Sequence, residues 1–465
     1  MYNNIKSCVT INSECSDYFV STSGVRQGEN LSPFLSAIFL NDLEDYLIKS
    51  NCSLIELSER TTDLLLKLII IMYADDTILL ANSAINLQKG LNELKTYCDK
   101  WKLQINSDKT KVLIFSNKKV KKDNYNFKLG DGNLEIVDTF KYLGITFSYN
   151  GKFTNAIKDL CSMAERAMYS LYKKSRTLQL PVDIQFNLFD RVVAPIMLYS
   201  CEVWGFSNIS PLEILHRKFC KMVLKLRSST PNIMIYGETG RFPYEVIIKE
   251  RMIKYWSRII LGKKEKLSYI SYTLCRNNLF NSGLETDWIS YINSILNSNN
   301  YVNWHYIEEL IAKHHVKVIG KDIRNKYIEN WFNLVESSPS CNSLYKHIKS
   351  NFEAEFYLSK LPESLRPYIS KFRTSNHRLP IQRGRYDRTP IEERLCTLCD
   401  EQLVGDEFHF ILECKNLQLV DLRNQYISPY YRNIPSLGKL TELFENKGRK
   451  LFKLAKYLKE AMILL

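Results

Sequence analysis

Asp75 and Asp76 stand side by side in the run Tyr73-Ala74-Asp75-Asp76, between two apolar stretches at 64–72 and 77–81. Apolar runs this short, bounded by a turn, suit buried strands, so the pattern predicts a β-hairpin with two carboxylates at its turn. Adjacent acids with no basic neighbour repel each other unless a cation offsets them. Mg²⁺ would do so, because it takes carboxylate oxygens together with phosphate. An ordinary Asp-rich turn is the plain alternative, since Asp favours turns by itself.

A second cluster lies far along the chain. Cys396-Thr397-Leu398-Cys399 is followed by His409 and Cys414, with spacing C-x2-C-x9-H-x4-C. Three thiolates and one imidazole form a closed tetrahedral set for one structural Zn²⁺. Phe408, Phe410, Ile411 and Leu412 can pack around it. The plain alternative is four unrelated reduced residues. A redox Cys-x-x-Cys fits less well, because no thioredoxin-like βαβ pattern surrounds it.

The elements that would position the acids can be read on either side of them. Gly24 and Gly28 bracket Val25, Arg26 and Gln27. Glycine lets backbone approach a ligand, and Arg and Gln can meet phosphate or base edges. Ser32-Pro33 reads as a helix start, with Ser as N-cap and Pro at the first position. Apolar residues then recur at helical spacing from Phe34 to Leu47. After the hairpin, Leu87, Leu91, Leu94, Cys98 and Trp101 predict an amphipathic helix. Lys109 follows at a turn, where a lysine can reach phosphate as a point charge or simply be solvated. Short strands are expected at 112–115 and 140–145, and a strand pair around Ser7 to Val20 with a turn at Asn12-Ser13-Glu14.

From about residue 152 the pattern is mostly helical; Leu160, Ala164, Ala167, Met168 and Leu171 share one face. Arg217, Lys218, Lys221 and Lys225 lie among apolar residues, either as a nucleic-acid docking face or as a solvated outer face. Lys371, Arg373, Arg378, Arg383, Arg385 and Arg388, with Phe372, His377 and Tyr386 among them, have the composition of a nucleic-acid contact surface.

The whole chain agrees with an anionic partner. Its 465 residues carry a net charge of +14, and 25% are charged. Nucleic acid is the first candidate and an acidic membrane surface the second. No stretch is long and apolar enough for a membrane span. Twelve cysteines without a dense framework suggest reduced thiols in an intracellular compartment, nucleus or cytoplasm.

In order, Gly24-Val25-Arg26-Gln27-Gly28 with Leu31-Ser32-Pro33, then Tyr73-Ala74-Asp75-Asp76, Ile105-Asn106 with Lys109-Thr110, and Tyr142-Leu143-Gly144 resemble the palm of a reverse transcriptase. The likeness is to the non-LTR, LINE-type retrotransposon enzymes. Pro195, Leu198-Tyr199 and Glu202-Val203-Trp204-Gly205 resemble the region after that palm, and the Cys/His cluster resembles the C-terminal zinc domain of such polyproteins. The resemblance implies an α+β chain: a partial palm at 1–147, a helical thumb or connection at 148–270, a helical linker region at 271–380 and a zinc-binding module at 381–465. It implies RNA-directed DNA polymerase activity with an RNA template, a DNA primer or target, dNTP and two Mg²⁺. Asp75 and Asp76 would be the Mg²⁺ carboxylates and Lys109 a residue near the leaving pyrophosphate. Arg26, Gln27, Gly28 and Tyr73 would contact template, nucleotide or primer, and Tyr142, Leu143 and Gly144 would form the primer grip. The family's palm carries another aspartate before the glycine loop; here only Asp17 precedes it, in the wrong context. An N-terminally truncated chain with little or no activity is therefore expected, or a non-catalytic nucleic-acid-binding remnant.

Overall fold

The short apolar runs around the two aspartates do pair as strands. Ile70–Tyr73 lies antiparallel to Asp76–Leu79, with Tyr73 opposite Asp76. In the computed structural model, residues 5–21, 29–52, 55–58, 65–283, 286–338 and 343–465 are described. They fall into two units, one of residues 1–142, 147–151 and 264–285, the other of 143–146, 152–263 and 286–465. The class is α+β, with small sheets early in the chain and helices dominating from Thr154 onward.

The first unit is built from hairpins and two helical regions. Ile5–Ser7 pairs with Phe19–Ser21, and Thr10–Ile11 with Glu14–Cys15. The tight turn of the latter pair has positive φ at Asn12 and Ser13, as residue types tolerant of that region allow. The single helix expected from Phe34 to Leu47 is instead two, Ser32–Phe39 and Leu43–Lys49. Asn41 and Asp42 sit at the break, and both types favour caps and turns over helix interiors. Asp42 is held there by Tyr97, whose Oη donates to its Oδ1 at 2.5 Å. Ser32 is the first helical residue rather than the N-cap, which is Leu31.

Ala84–Lys100 forms the amphipathic helix, capped by Ser83, whose Oγ accepts from the Asn86 amide at 3.2 Å. It packs over a three-stranded sheet in which Gly132–Val137 runs antiparallel to Phe127–Leu129 and parallel to Lys111–Leu113. Leu91, Val112, Phe127, Leu129 and Leu134 form the core between them. The strand expected at 140–145 is two, Thr139–Tyr142 and Ile145–Ser148, which pair. Leu143 at φ 46° and Gly144 at φ 84° make the turn. Positive φ at both central residues matches the right-handed twist of the flanking strands.

The second unit is helical. The face predicted on Thr154–Thr177 buries Leu160, Ala164 and Met168, with Ala167 and Leu171 half-buried. Trp204, Trp256, Trp304 and Trp331 are fully buried, each removing enough apolar surface to contribute several kcal/mol of transfer energy, on the order of 2–4. The residues assigned to a separate C-terminal module pack within this unit. Phe372 stacks with Phe410 and Phe444 at 5.9 and 6.3 Å, and Tyr457 Oη donates to the Phe410 carbonyl at 2.9 Å. Among the described residues no helix is long and apolar enough to cross a membrane.

Candidate active site and metal centre

The aspartate hairpin is buried at its root and exposed at its tip. Ile69 and Ile70 belong to a core with Leu43, Leu47, Tyr97 and Cys98, and Leu79 packs against it. The Leu80 amide closes the root on the Ile69 carbonyl at 2.7 Å. Tyr73, Ala74, Asp75 and Asp76 are all exposed. Ala74 sits at φ 54°, a region that costs an alanine about 1–2 kcal/mol and persists only where the surroundings enforce it. Here the strand register enforces it, because Tyr73 and Asp76 pair and only two residues remain for the turn.

Tyr142 lies near this tip. Its hydroxyl is buried without a hydrogen-bond partner among the described residues. Burial pushes its pKa up, and the Asp76 carboxylate adds to the effect. Lys109 is exposed on a turn shaped by Asn106, whose Oδ1 accepts from the Lys109 amide at 3.1 Å and whose carbonyl accepts from Thr110 Oγ1 at 2.8 Å. Arg26, Gln27 and Gly28 lie outside the described residues.

The turn at Leu143-Gly144 is fastened from the helical side of its own unit. Tyr199 Oη donates to the Leu143 carbonyl at 2.9 Å, and a Cβ on Gly144 would stand 3.1 Å from Tyr199 Cε1. Tyr199 is anchored in turn: Trp204 Nε1 donates to its carbonyl at 2.9 Å. Arg251 Nη1 donates to the Leu198 carbonyl at 3.2 Å, and Trp288 Nε1 to that of Glu202 at 2.8 Å. At Gly205 a Cβ would fall 2.3 Å from Ile248 Cγ2 and 2.6 Å from the Cys201 carbonyl, so only glycine fits. The whole stretch 198–205 is a bracket for the turn. Sequence reading singled out these residues but not that task.

Cys396, Cys399, His409 and Cys414 converge, their ligand atoms all lying within 4.8 Å of one another. Cys396 Sγ is 3.9 Å from Cys414 Sγ, and Cys399 Sγ is 3.3 Å from His409 Nε2. A tetrahedral zinc with ordinary bond lengths sets such edges at about 3.8 Å and about 3.6 Å. The donor set and the spacing both fit zinc. Burial pushes the Cys414 thiol up to about 12 and the His409 imidazole down, which keeps the ring neutral, the form that ligates metal. His409 is steadied by its amide, which donates to Asp406 Oδ1 at 2.8 Å. Among the described residues this is the one group of three or more Cys, His, Asp or Glu side chains arranged for a metal. Among the described residues no third such side chain joins Asp75 and Asp76.

The family described as "Reverse transcriptase (RNA-dependent DNA polymerase)" matches residues 2–147. Residues 2–147 are thus similar to a reverse-transcriptase domain. The chain is 26% identical over 215 residues to a probable RNA-directed DNA polymerase from transposon BS of Drosophila melanogaster. It is 23% identical over 214 residues to the RNA-directed DNA polymerase from mobile element jockey of the same fly. These matches take in 44% and 43% of this chain and 22% of each relative, so the chain spans about a fifth of their length. A transposon-derived protein of Caenorhabditis elegans is 30% identical over 139 residues, 29% of this chain and 48% of its own.

The matched stretch 2–147 contains Tyr73, Asp75, Asp76, Lys109 and Tyr142, while the basic stretches outside it are differently disposed from a simple contact surface. Arg373 is 1% exposed and bound to Glu238 by paired contacts of 3.0 Å. It also reaches Glu355 at 2.8 Å, which Lys349 meets at 2.6 Å. Tyr357 Oη donates to Glu238 Oε2 at 2.7 Å. Arg373 is thus the centre of a buried ionic network rather than a nucleic-acid contact. On helix Ser210–Leu224 and its C-cap, Lys218 pairs with Glu165, Lys225 with Glu363, and Lys221 donates to the Ser228 carbonyl. Three of the four cations there serve the fold, as expected of an outer face. Arg378, Arg383 and Arg388 remain exposed.

Proposed function

We propose that this chain is part of an RNA-directed DNA polymerase of a non-LTR retrotransposon. The supporting observation is the Asp75–Asp76 pair, held at the exposed tip of a hairpin with a buried root inside the reverse-transcriptase domain. Asp75 and Asp76 would hold Mg²⁺, whose usual shell is one or two carboxylates with water and substrate phosphates. Bound there, Mg²⁺ supplies Lewis-acid stabilisation of phosphate charge and lowers the pKa of the primer 3′-hydroxyl.

The chain's own residues position the reactants. Asp75 would be the more direct ligand of the two. Tyr73, exposed beside the aspartates, packs near the primer terminus. Arg26, Gln27 and Gly28, which lie outside the described residues, would serve the template strand and the nucleotide by the family resemblance. Lys109, on its Asn106-shaped turn, carries a proton toward the leaving pyrophosphate. Tyr142, Leu143 and Gly144 grip the primer, and the helices after Thr154 act as a thumb on the duplex. One structural Zn²⁺ on Cys396, Cys399, His409 and Cys414 holds the C-terminal region together, every protein ligand place being filled.

Among the described residues two carboxylates stand together where the family's palm carries three, and losing one member of such a unit costs orders of magnitude in rate. This chain alone is therefore proposed to extend primers poorly, and a nucleic-acid-binding role without polymerisation is the second reading. Primer extension on an RNA template with Mg²⁺ separates them. Weak extension abolished by Asp75→Ala supports the polymerase. Salt-sensitive strand binding with no extension supports the second reading, and absence of both overturns the two together.

A further inference from the structure

A cavity of about 270 Å³ opens between the loop at 227–231 and the segment 374–386, both in the second unit. It lies away from the aspartates in sequence and is lined almost entirely by polar side chains. Asn376 is 7% exposed, and its Nδ2 donates to Thr230 Oγ1, yet its Oδ1 is buried without a partner. Ser375 Oγ and His377 Nδ1 are buried and unpartnered as well. Three orphaned groups on three consecutive lining residues are unusual, because each costs about 1–3 kcal/mol when left unsatisfied.

The wall behind them is fixed. His377 Nε2 donates to Glu407 Oε1 at 2.9 Å, Gln382 Nε2 donates to the same oxygen at 3.4 Å, and Arg385 Nη1 donates to Gln382 Oε1 at 3.2 Å. The rim is cationic and aromatic. Arg227 is exposed, Arg385 half-buried, and the Tyr386 ring is 73% exposed. Arginines at a cavity mouth suit a phosphate, and an exposed tyrosine suits the flat face of a base. An unpartnered amide oxygen, hydroxyl and imidazole nitrogen suit the N–H and O–H groups of a base edge or a sugar. The volume is of the order of a single nucleotide rather than of a base pair.

We propose that this cavity binds one unpaired nucleotide of a single-stranded nucleic acid, with Tyr386 stacking on the base, Arg227 and Arg385 meeting the phosphate, and Asn376 and Ser375 reading hydrogen-bond donors. The site stands apart from polymerisation, so its failure would leave the catalytic reading untouched.

Arg227→Gln and Tyr386→Ala change exposed side chains and should leave the melting temperature unchanged. Full-length protein is titrated with a fluorescent single strand of about twelve nucleotides and with a duplex of the same sequence. Each variant should bind the single strand about tenfold more weakly, the size expected for one lost stack or one lost arginine contact, and the duplex as wild type does. Equal losses on both ligands, or none, overturn the proposal. A 4-thiouridine-bearing strand photo-crosslinked to the wild-type chain gives an answer that no variant's folding can obscure. Crosslinks within 374–386 support the site, and crosslinks confined elsewhere overturn it. Competition separates the sources: displacement by the single strand but not by a nucleoside monophosphate favours a strand, and displacement by both favours the nucleotide chemistry they share. Displacement by a polyglutamate peptide as effective as by the strand would overturn it.

Discussion

Tyr199 Oη donates a hydrogen bond of 2.9 Å to the carbonyl of Leu143, at a turn that Gly144 completes with φ 84°. Tyr199→Phe removes the bond and little else. With Tyr199 46% exposed, water can replace part of the loss, so urea denaturation should show a cost of about 0.5–1 kcal/mol. Gly144→Ala should cost more, about 1–2 kcal/mol, because it meets both the positive φ and the Tyr199 ring. Equal stability of Gly144→Ala and wild type would contradict the tightness of this turn.

The Arg373 network should be the most sensitive charged feature of the second unit. Glu238 is fully buried, and Arg373→Met would leave it without its cation. A buried charge stripped of its partner destabilises by about 3–5 kcal/mol. Arg373→Lys keeps the charge but not the paired geometry, and should fall between. Denaturant midpoints that put Arg373→Met close to wild type would rule out a structural role for the network.

His216 should make stability fall on acidification. It is 0% exposed, and Arg241 Nε donates to its Nε2 at 3.0 Å. Burial holds its pKa well below 6.5, and Arg241 and Arg217 push the same way. The folded state therefore resists a proton that the unfolded chain accepts. The resulting stability is present above the unfolded value near 6.5 and is lost as pH falls below it, at up to about 1.4 kcal/mol per pH unit. Glu213 acts in the opposite sense, since burial raises its pKa and stabilises the fold toward acid. Comparing wild type with His216→Gln between about pH 7.5 and 5.5 isolates the histidine. The variant should show the shallower decline.

Zinc removal should be visible without any assay of activity. Metal analysis of the reduced protein should find one zinc per chain, and Cys399→Ser should lose most of it. A chelator should lower the melting temperature and expose the region around 394–426 to protease, since the site's binding energy is folding energy. A wild-type protein that carries no zinc after purification under reducing conditions would remove the site.

What the sequence revealed depended on how local each cause is. The aspartate hairpin and the Cys/His set were legible because their meaning lies in spacing over a few to twenty residues. The apolar pattern at 140–145 predicts one strand where two pair over 139–148, with Leu143-Gly144 as their turn. The break at Asn41–Asp42 was hidden by an apolar period that runs through it. Arg373 departs from its expected exposure for a different reason. Its partner Glu238 stands 135 residues away, and no local pattern distinguishes a buried guanidinium from an exposed one. The Tyr199 bracket is recognisable as a motif, but its bond to Leu143 spans 56 residues and only the fold supplies it. The cavity at 374–386 gave no signal beyond a basic, aromatic composition, because its orphaned acceptors exist only once their neighbours are placed.

Glu407, which receives His377, and His409, which belongs to the cysteine cluster, are separated by one residue. Asp406, just before them, takes the His409 amide. One four-residue span is thus a common footing for the cavity wall and for the metal centre. A displacement of that span is felt on both sides at once. Any change in the Cys/His cluster, such as the gain or loss of an ion there, would thereby tighten or loosen the wall of the cavity.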